Sequence, residues 1–194
     1  MRVLLGMPCV KNIPYKTVMS LLKTVKKGAV EPMVVDGALV YDARDMIARF
    51  AVEKDYDYIL FVDSDMVFDA ECLNKLLEHD ADIVTGLYIT RRGEEKNVAY
   101  THVITGRRWP AREAKLIHDT KSTGYGEIAA CGFGFCLIKT EVVKSMAKRY
   151  KSLFEPFKCV GEDIAFCLRA RKCGYRIYID RDVKLGHIGE RVYQ

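Results

Sequence analysis

Continuous apolar runs alternate with stretches of helical spacing through the first half of the chain. Val3-Leu4-Leu5-Gly6-Met7 is apolar throughout and reads as a buried strand that Pro8 ends. From Thr17 to Lys27 the apolar positions Val18, Leu21, Leu22 and Val25 fall on one helical face, and Gly28 is a natural stop. Pro32 to Val35 forms a short strand. Asp42 to Lys54 forms a second helix, with Met46, Ile47, Phe50 and Ala51 on its apolar face. Tyr58-Ile59-Leu60-Phe61-Val62 is the strongest buried strand and stops at an acidic cluster. Asp69 is placed to cap a helix through Glu78, and Asp82 leads into a strand from Ile83 to Ile89. This β-α-β-α-β-α-β order predicts an α/β fold with a central, mainly parallel sheet flanked by helices. A sheet of that kind carries its ligand at the carboxyl ends of its strands.

The pattern breaks between Thr90 and Glu127. Arg91, Arg92, Arg107, Arg108, Arg112, Lys115 and Lys121 lie among glycines and polar residues, with Trp109 and Tyr125 interleaved. This stretch reads as irregular strands and a long loop, either a closing lid or an ordinary solvated hairpin. Order returns from Ile128 to Ile138, then in a helix from Glu141 to Tyr150. A further helix opens at Gly161-Glu162-Asp163, runs through Lys172, and is capped by Gly174. Tyr175 to Ile179 is the last strand, and Val183 to Gly189 form the tail.

Composition narrows the class. A 22.1 kDa chain of 194 residues, 49% hydrophobic and 29% charged, suits a single globular domain and excludes disordered and collagen-like chains. The net charge of +5 suits an anionic ligand such as a nucleotide, while a nucleic-acid partner is conceivable but unsupported by charge alone. Seven cysteines, an odd number without a Cys-x-x-Cys pair, imply neither a disulfide framework nor a zinc site. They point to a reducing, cytoplasmic setting. No secretory leader is expected, because Pro8-Cys9 breaks the apolar start. The longest uncharged apolar run, Ile128 to Ile138, is too short to span a bilayer. Peripheral contact with a membrane stays open.

The chemistry concentrates in two acidic pairs. Asp-x-Asp occurs four times, at Asp55/Asp57, Asp63/Asp65, Asp80/Asp82 and Asp180/Asp182. Only Asp63-Ser64-Asp65 follows a continuously apolar strand, where two carboxylates can hold Mg²⁺ or Mn²⁺ and a diphosphate. Turn and cap chemistry is the plainer alternative. Glu162 and Asp163 open a helix, whose N-terminus favours ionised carboxylates, as a general base requires. Simple dipole complementation would place the same residues there. His187, between Gly186 and Gly189 in Gly-His-Ile-Gly, offers an accessible imidazole for a divalent cation or a structural hydrogen bond. His79, His118 and Cys72 have no metal-ligand spacing and read as structural.

Taken in order, these features resemble the GT-A fold of nucleotide-diphospho-sugar transferases, most of all the family-2 type of inverting glycosyltransferase. Val3-Leu4-Leu5-Gly6-Met7-Pro8-Cys9 is similar to the first strand and nucleotide-contacting turn. Ala43-Arg44-Asp45 is similar to the family's Ala-Arg-Asn segment, Phe61-Val62-Asp63-Ser64-Asp65 to its Asp-x-Asp motif, and Gly161-Glu162-Asp163 to its Glu-Asp motif. Gly132-Phe133-Gly134-Phe135 resembles the Gly-rich segment bordering sugar and acceptor. The resemblance runs from Val3 to His187 and is weakest between Arg91 and Glu127.

It implies one domain over residues 1–194, with a nucleotide-binding half over 1–90 and an acceptor-side half over 91–194, including a mobile segment near 91–127. It implies that Asp65 and His187 hold Mn²⁺ or Mg²⁺, with Asp63 on the ribose or reaching the metal through water. Pro8, Cys9, Asp36, Arg44 and Ser64 would surround the nucleotide. Asp163 would be the catalytic base, and Glu162, Gly132, Phe133 and Trp109 would face acceptor and sugar. The donor would be a nucleotide-diphospho-sugar, a UDP-sugar first and a GDP-sugar second, with the acceptor unknown. The Gln-x-x-Arg-Trp signature of processive relatives is absent, which favours single transfers.

Three other readings compete. Asp63-Ser64-Asp65-Met66-Val67 also fits the haloacid-dehalogenase phosphohydrolase form, with Asp63 as nucleophile, but that motif normally lies near the chain start. A nucleotidyltransferase would show a Gly-rich loop after the first strand, which Pro8-Cys9-Val10-Lys11 lacks. A non-catalytic module binding a sugar nucleotide or an anionic polymer is the third reading.

Overall fold

The computed structural model describes residues 1–26, 28–90, 96–105, 114–157 and 159–189. In chain order the strands of the first half are β1 (Val3–Cys9), β2 (Val30–Asp36), β3 (Tyr58–Val62), β4 (Met66–Val67) and β5 (Ile83–Leu87). Helices α1 (Tyr15–Thr24), α2 (Val40–Glu53) and α3 (Ala70–Glu78) lie between them. Then come β6 (Ala99–Thr105), β7 (Ala114–His118), β8 (Tyr125–Ile128), β9 (Ala130–Cys131), β10 (Phe135–Lys139), α4 (Thr140–Ala147), α5 (Glu162–Lys172), β11 (Ile177–Lys184) and β12 (Gly186–His187).

Seven strands form the central sheet in the order β2-β1-β3-β10-β5-β11-β8. Five point one way. Only β10, antiparallel to both β3 and β5, and the edge strand β8 oppose them. The sheet is therefore mainly parallel, as the α/β alternation predicts. The strands are apolar on both faces because both are covered. Leu4, Ile59, Phe61 and Ile138 face a core shared with Ile47 of α2, Val142 of α4 and Phe166 of α5. Val3, Leu5, Met7, Leu60 and Val62 face a second core with Leu73 and Leu76 of α3. Helix α2 packs so closely on β1 that a Cβ on Gly6 would lie 2.3 Å from Cγ2 of Ile47.

Several sequence expectations need correction. β1 does not stop at Pro8. Its pairing with β3 ends at Gly6 while its pairing with β2 continues to Cys9, so Pro8 lies where only one side is bonded. Helix α1 begins earlier and ends sooner than Thr17 to Lys27, and of its expected apolar face only Leu21 packs against a core. Thr17, Ser20 and Thr24 are buried, while Val18 and Leu22 are exposed. The last strand extends well beyond Ile179. Asp180 and Arg181 are buried within it because His79 and Asp119 satisfy their charges at 2.8 and 2.7 Å. The run Ile128 to Ile138 divides into the end of β8, then β9 and β10.

Between residues 90 and 127 the described residues are more regular than predicted. β6 and β7 pair antiparallel and, with β9, form a separate small sheet, while β8 joins the central one. Arg91, Arg92, Arg107, Arg108, Trp109 and Arg112 lie outside the described residues, so the expected closing segment and the expected contact from Trp109 are not placed. Cys9, Cys72, Cys131, Cys136, Cys167 and Cys173 are unbridged thiols.

Candidate active site

The candidate residues converge where β1, β2, β3 and β5 end and α5 begins. After Val62 the chain turns through Asp63, Ser64 and Asp65 into β4. The Asp63 amide donates to the Gly134 carbonyl at 3.0 Å, which fixes the turn against the start of β10. β4 pairs antiparallel with β12, setting His187 opposite Met66, while the Ile188 amide donates to the Asp65 carbonyl at 2.9 Å. Residues 122 positions apart thus become neighbours through register. Nε2 of His187 lies 3.5 Å from Oδ1 of Asp65, and both side chains are largely shielded from water. Nδ1 of His187 is 2.9 Å from the Ile89 carbonyl. A carbonyl only accepts, so Nδ1 carries a proton and Nε2 is the nitrogen turned to the carboxylate.

Arg44, from the buried face of α2, connects the two acidic pairs. Nη2 reaches Oδ1 of Asp63 at 2.8 Å, and Nη1 reaches Oε1 of Glu162 at 2.6 Å. The guanidinium is almost wholly buried and sits 5.4 Å above the Phe133 ring. Burial opposes its charge, but Asp63, Glu162 and Asp163 outweigh burial and raise its pKa, so it stays cationic. Both arms of the fork are engaged by protein carboxylates, so Arg44 has an internal role in joining the two acidic motifs. Nε has no partner among the described residues.

Asp163 follows Gly161, the N-cap of α5, and Glu162. Its Oδ1 accepts from the Ile164 amide at 2.7 Å. Burial pushes its pKa up to about 6. Arg44 pulls it down, and Glu162 pushes it up again. A carboxyl tuned to that range is ionised at neutral pH yet basic enough to take a proton from a hydroxyl.

Tyr88, at the end of β5, was not among the residues the sequence singled out. Its hydroxyl accepts from the Gly134 amide at 2.9 Å, and its ring stands edge-on to His187 at 5.6 Å. Burial and the neighbouring Asp63 push its pKa far up, so it stays a neutral phenol. A Cβ at Gly132 would lie 2.4 Å from the Tyr88 hydroxyl and 2.4 Å from Cγ1 of Val98, so only glycine fits there. The signal in sequence was weak. It consists of an aromatic residue inside the predicted strand Ile83 to Ile89 and two glycines, Gly132 and Gly134, two residues apart.

The other expected contacts divide. Cys9 and Asp36 are paired in register at the ends of β1 and β2, with Cys9 buried and Asp36 exposed, and Pro8 is buried opposite Val35. Ser64 lies between the two aspartates, partly exposed. Phe133 is 1% exposed and packs with Phe61, Phe154 and Phe166. It supports Arg44 from below instead of bordering sugar or acceptor. A groove of about 580 Å³ lined by Met1, Tyr58, Asp80 and Lys139 contains none of the candidate residues.

The divalent metal that the resemblance implies can be tested against these donors. No group of three or more metal-ligating side chains forms among the described residues, and Asp63 is turned to Arg44. Asp65 and His187 supply one oxygen and one nitrogen 3.5 Å apart, with the nitrogen's tautomer fixed from behind. Two protein donors fit Mn²⁺ or Mg²⁺ when diphosphate oxygens and water complete the shell.

No protein-family model and no curated relative matches the sequence. Solved structures do match. A197 from STIV aligns over 100% of this chain and 97% of its own, with a TM-score of 0.61 and 22% identity. GalNAc-T7, crystallised with UDP, GalNAc and Mn²⁺, aligns over 96% of this chain with a TM-score of 0.63 and 12% identity. S. aureus TarS 1-349 aligns over 94% with a TM-score of 0.54 and 16% identity. The chain spans 43% of that GalNAc-T7 chain and 58% of that TarS chain. At these identities the likeness shows the fold, a GT-A-like α/β domain.

Proposed function

We propose that this chain is a metal-dependent, inverting glycosyltransferase moving a sugar from a nucleotide-diphospho-sugar to an acceptor hydroxyl. One observation carries the reading. Two acidic pairs meet at the carboxyl end of the sheet, and Asp63 and Glu162, one from each, bind the same Arg44 guanidinium. Asp65 faces His187, and Asp163 is unpaired with any cation at hydrogen-bond distance among the described residues. The GT-A-like fold supports the same reading, and the UDP and Mn²⁺ crystallised with GalNAc-T7 favour a UDP-sugar donor and Mn²⁺.

In this reading Asp65 and His187 hold Mn²⁺ or Mg²⁺. When bound, the cation offsets charge growing on the leaving nucleoside diphosphate. Asp163 accepts the proton of the acceptor hydroxyl at a carboxylate oxygen. That hydroxyl oxygen then bonds to the anomeric carbon as the bond to the diphosphate oxygen breaks on the opposite face. A positioned base of this kind supplies about 10²- to 10⁴-fold. Arg44 holds Asp63 and Glu162 in place. Cys9 and Asp36 border the nucleotide, and Gly132 keeps open the space beside Asp163. A chain with no described helix long and apolar enough to cross a membrane still leaves the acceptor class to experiment.

The test is a thermal-shift panel of nucleoside diphosphates with and without Mn²⁺, followed by turnover of the stabilising sugar nucleotide. A ligand at about 100 times its Kd adds roughly 2.7 kcal/mol. Stabilisation needing both Mn²⁺ and one nucleoside diphosphate, and lost in Asp65→Ala, is the expected result. No response to any nucleotide, together with turnover of a simple phosphate ester, would overturn the reading in favour of a phosphohydrolase.

A further inference from the structure

Helix α1 seats partly buried Leu21 against the second core but leaves most of its other apolar side chains outward. Its buried stripe is Thr17, Ser20 and Thr24, and its outward stripe is Tyr15, Val18, Met19 and Leu22, which follow i, i+3, i+4, i+7 spacing. The outward residues are 73%, 37%, 50% and 68% exposed. Two of the inward polar side chains are hydrogen-bonded, while Thr17 Oγ1 has no partner among the described residues. Ser20 Oγ accepts from the Phe68 amide at 3.0 Å, and Thr24 Oγ1 donates to the Ser20 carbonyl at 3.0 Å. The Ser20 bond to Phe68 and the packing of Leu21 on the core keep this side inward and the apolar stripe outward. Val10, just before the helix, is a further exposed apolar side chain at 69%. An apolar stripe at helical spacing normally faces a core, so this one needs a different apolar environment.

Charge identifies that environment. The first 30 residues contain Arg2, Lys11, Lys16, Lys23, Lys26 and Lys27 and no acid, whereas the rest of the chain holds 25 basic and 26 acidic residues. The whole positive excess of the protein therefore lies in the segment that contains α1. Lys11, Lys16, Lys23 and Lys26 are exposed, and Lys11, Lys16 and Lys23 make no ion pair among the described residues. Arg2 lies apart, bound to Glu31 at 3.2 Å. A groove of about 400 Å³ beside the helix, lined by Tyr15, Lys16, Met19, Lys23 and Lys184, contains one acid, Asp69.

We infer that α1 docks on an anionic lipid surface, with Tyr15, Met19 and Leu22 entering the headgroup region and Lys16, Lys23 and their neighbours on lipid phosphates. An interfacial helix is recognised by this combination of apolar stripe and lysine-rich flank. A second copy of the chain is disfavoured as occupant, because a two-fold contact would set Lys16 and Lys23 against their own images. A nucleic acid would use the lysines but leave the apolar stripe in water. The inference does not depend on sugar transfer. The groove does reach Gly186, next to His187, so a docked α1 sets the candidate site close to the lipid surface.

The experiment is co-sedimentation of the full chain with vesicles of phosphatidylcholine containing about 30% phosphatidylglycerol, against pure phosphatidylcholine. Binding to the anionic vesicles at low salt, and far weaker binding to the neutral ones, is expected. Lys16→Gln/Lys23→Gln should weaken binding about 25-fold, roughly fivefold per lysine. Met19→Glu/Leu22→Glu should abolish it with an unchanged circular dichroism spectrum, since both side chains lie on the exposed face. Absence of binding to anionic vesicles at low salt overturns the inference. So does binding indifferent to Met19→Glu/Leu22→Glu, or a dimer in light scattering that this variant dissolves.

Discussion

Arg44 and Glu162 stand 118 residues apart in the chain and 2.6 Å apart in the fold. The same guanidinium holds Asp63 at 2.8 Å, so one buried cation fixes the spacing of both acidic motifs. Arg44→Met should destabilise the protein by about 2–4 kcal/mol in urea denaturation, because two carboxylates lose their partner, one of them only partly hydrated. Arg44→Lys should recover less than half of that loss, since an ammonium cannot fork to both.

Asp163 gives a pH-dependent prediction. Its folded pKa of about 6 lies above the ordinary value of 3.8, so between those values the folded state binds more protons than the unfolded one. Stability therefore falls as pH rises through that window, and at pH 7 the ionised carboxylate costs up to about 3 kcal/mol. Asp163→Asn should be more stable than the parent at pH 7. The advantage should vanish near pH 4, as read by denaturation at the two pH values. The same substitution should remove transfer, and the parent's transfer rate should decline below about pH 6 as the base becomes protonated.

Metal binding offers a third check. His187→Ala and Asp65→Ala should each weaken Mn²⁺ binding at least about tenfold in calorimetric titration. Asp63→Asn should weaken it less, because Asp63 is committed to Arg44.

Tyr88→Phe removes the acceptor for the Gly134 amide and leaves a buried N–H without a partner. A loss of about 1–3 kcal/mol is expected by denaturant midpoint. Gly132→Ala drives a methyl group into the Tyr88 hydroxyl and Val98, and should cost a similar amount while displacing Tyr88 from His187.

The strands with two buried faces were legible in sequence because continuous apolar runs admit few other placements, and Tyr58–Val62 has the predicted boundaries. Helix α5 was readable from Gly161 at its cap and Gly174 beyond its end. Helix α1 was legible as a helix but not in orientation, since periodicity gives a stripe and says nothing of which side the protein covers. The extension of β11 through Asp180 and Arg181 was hidden because their partners, His79 and Asp119, lie far away in sequence. The pairing of Asp65 with His187 was expected from the resemblance. The internal role of Arg44 was not, because nothing local to Ala43-Arg44-Asp45 reveals a Glu 118 positions later.

The place of β10 has a consequence for synthesis. Among the described residues it is the strand that lies between β3 and β5, and it enters the chain after residue 134. Until it emerges from the ribosome, β3 and β5 each present an open, apolar edge of the kind that pairs with other chains. Truncation before Phe135 should therefore yield an insoluble product. The sheet must wait for contacts distant in sequence, a topology that folds slowly. Because Gly134 anchors Asp63 and immediately precedes β10, the strand that closes those edges also sets the first acidic motif in place.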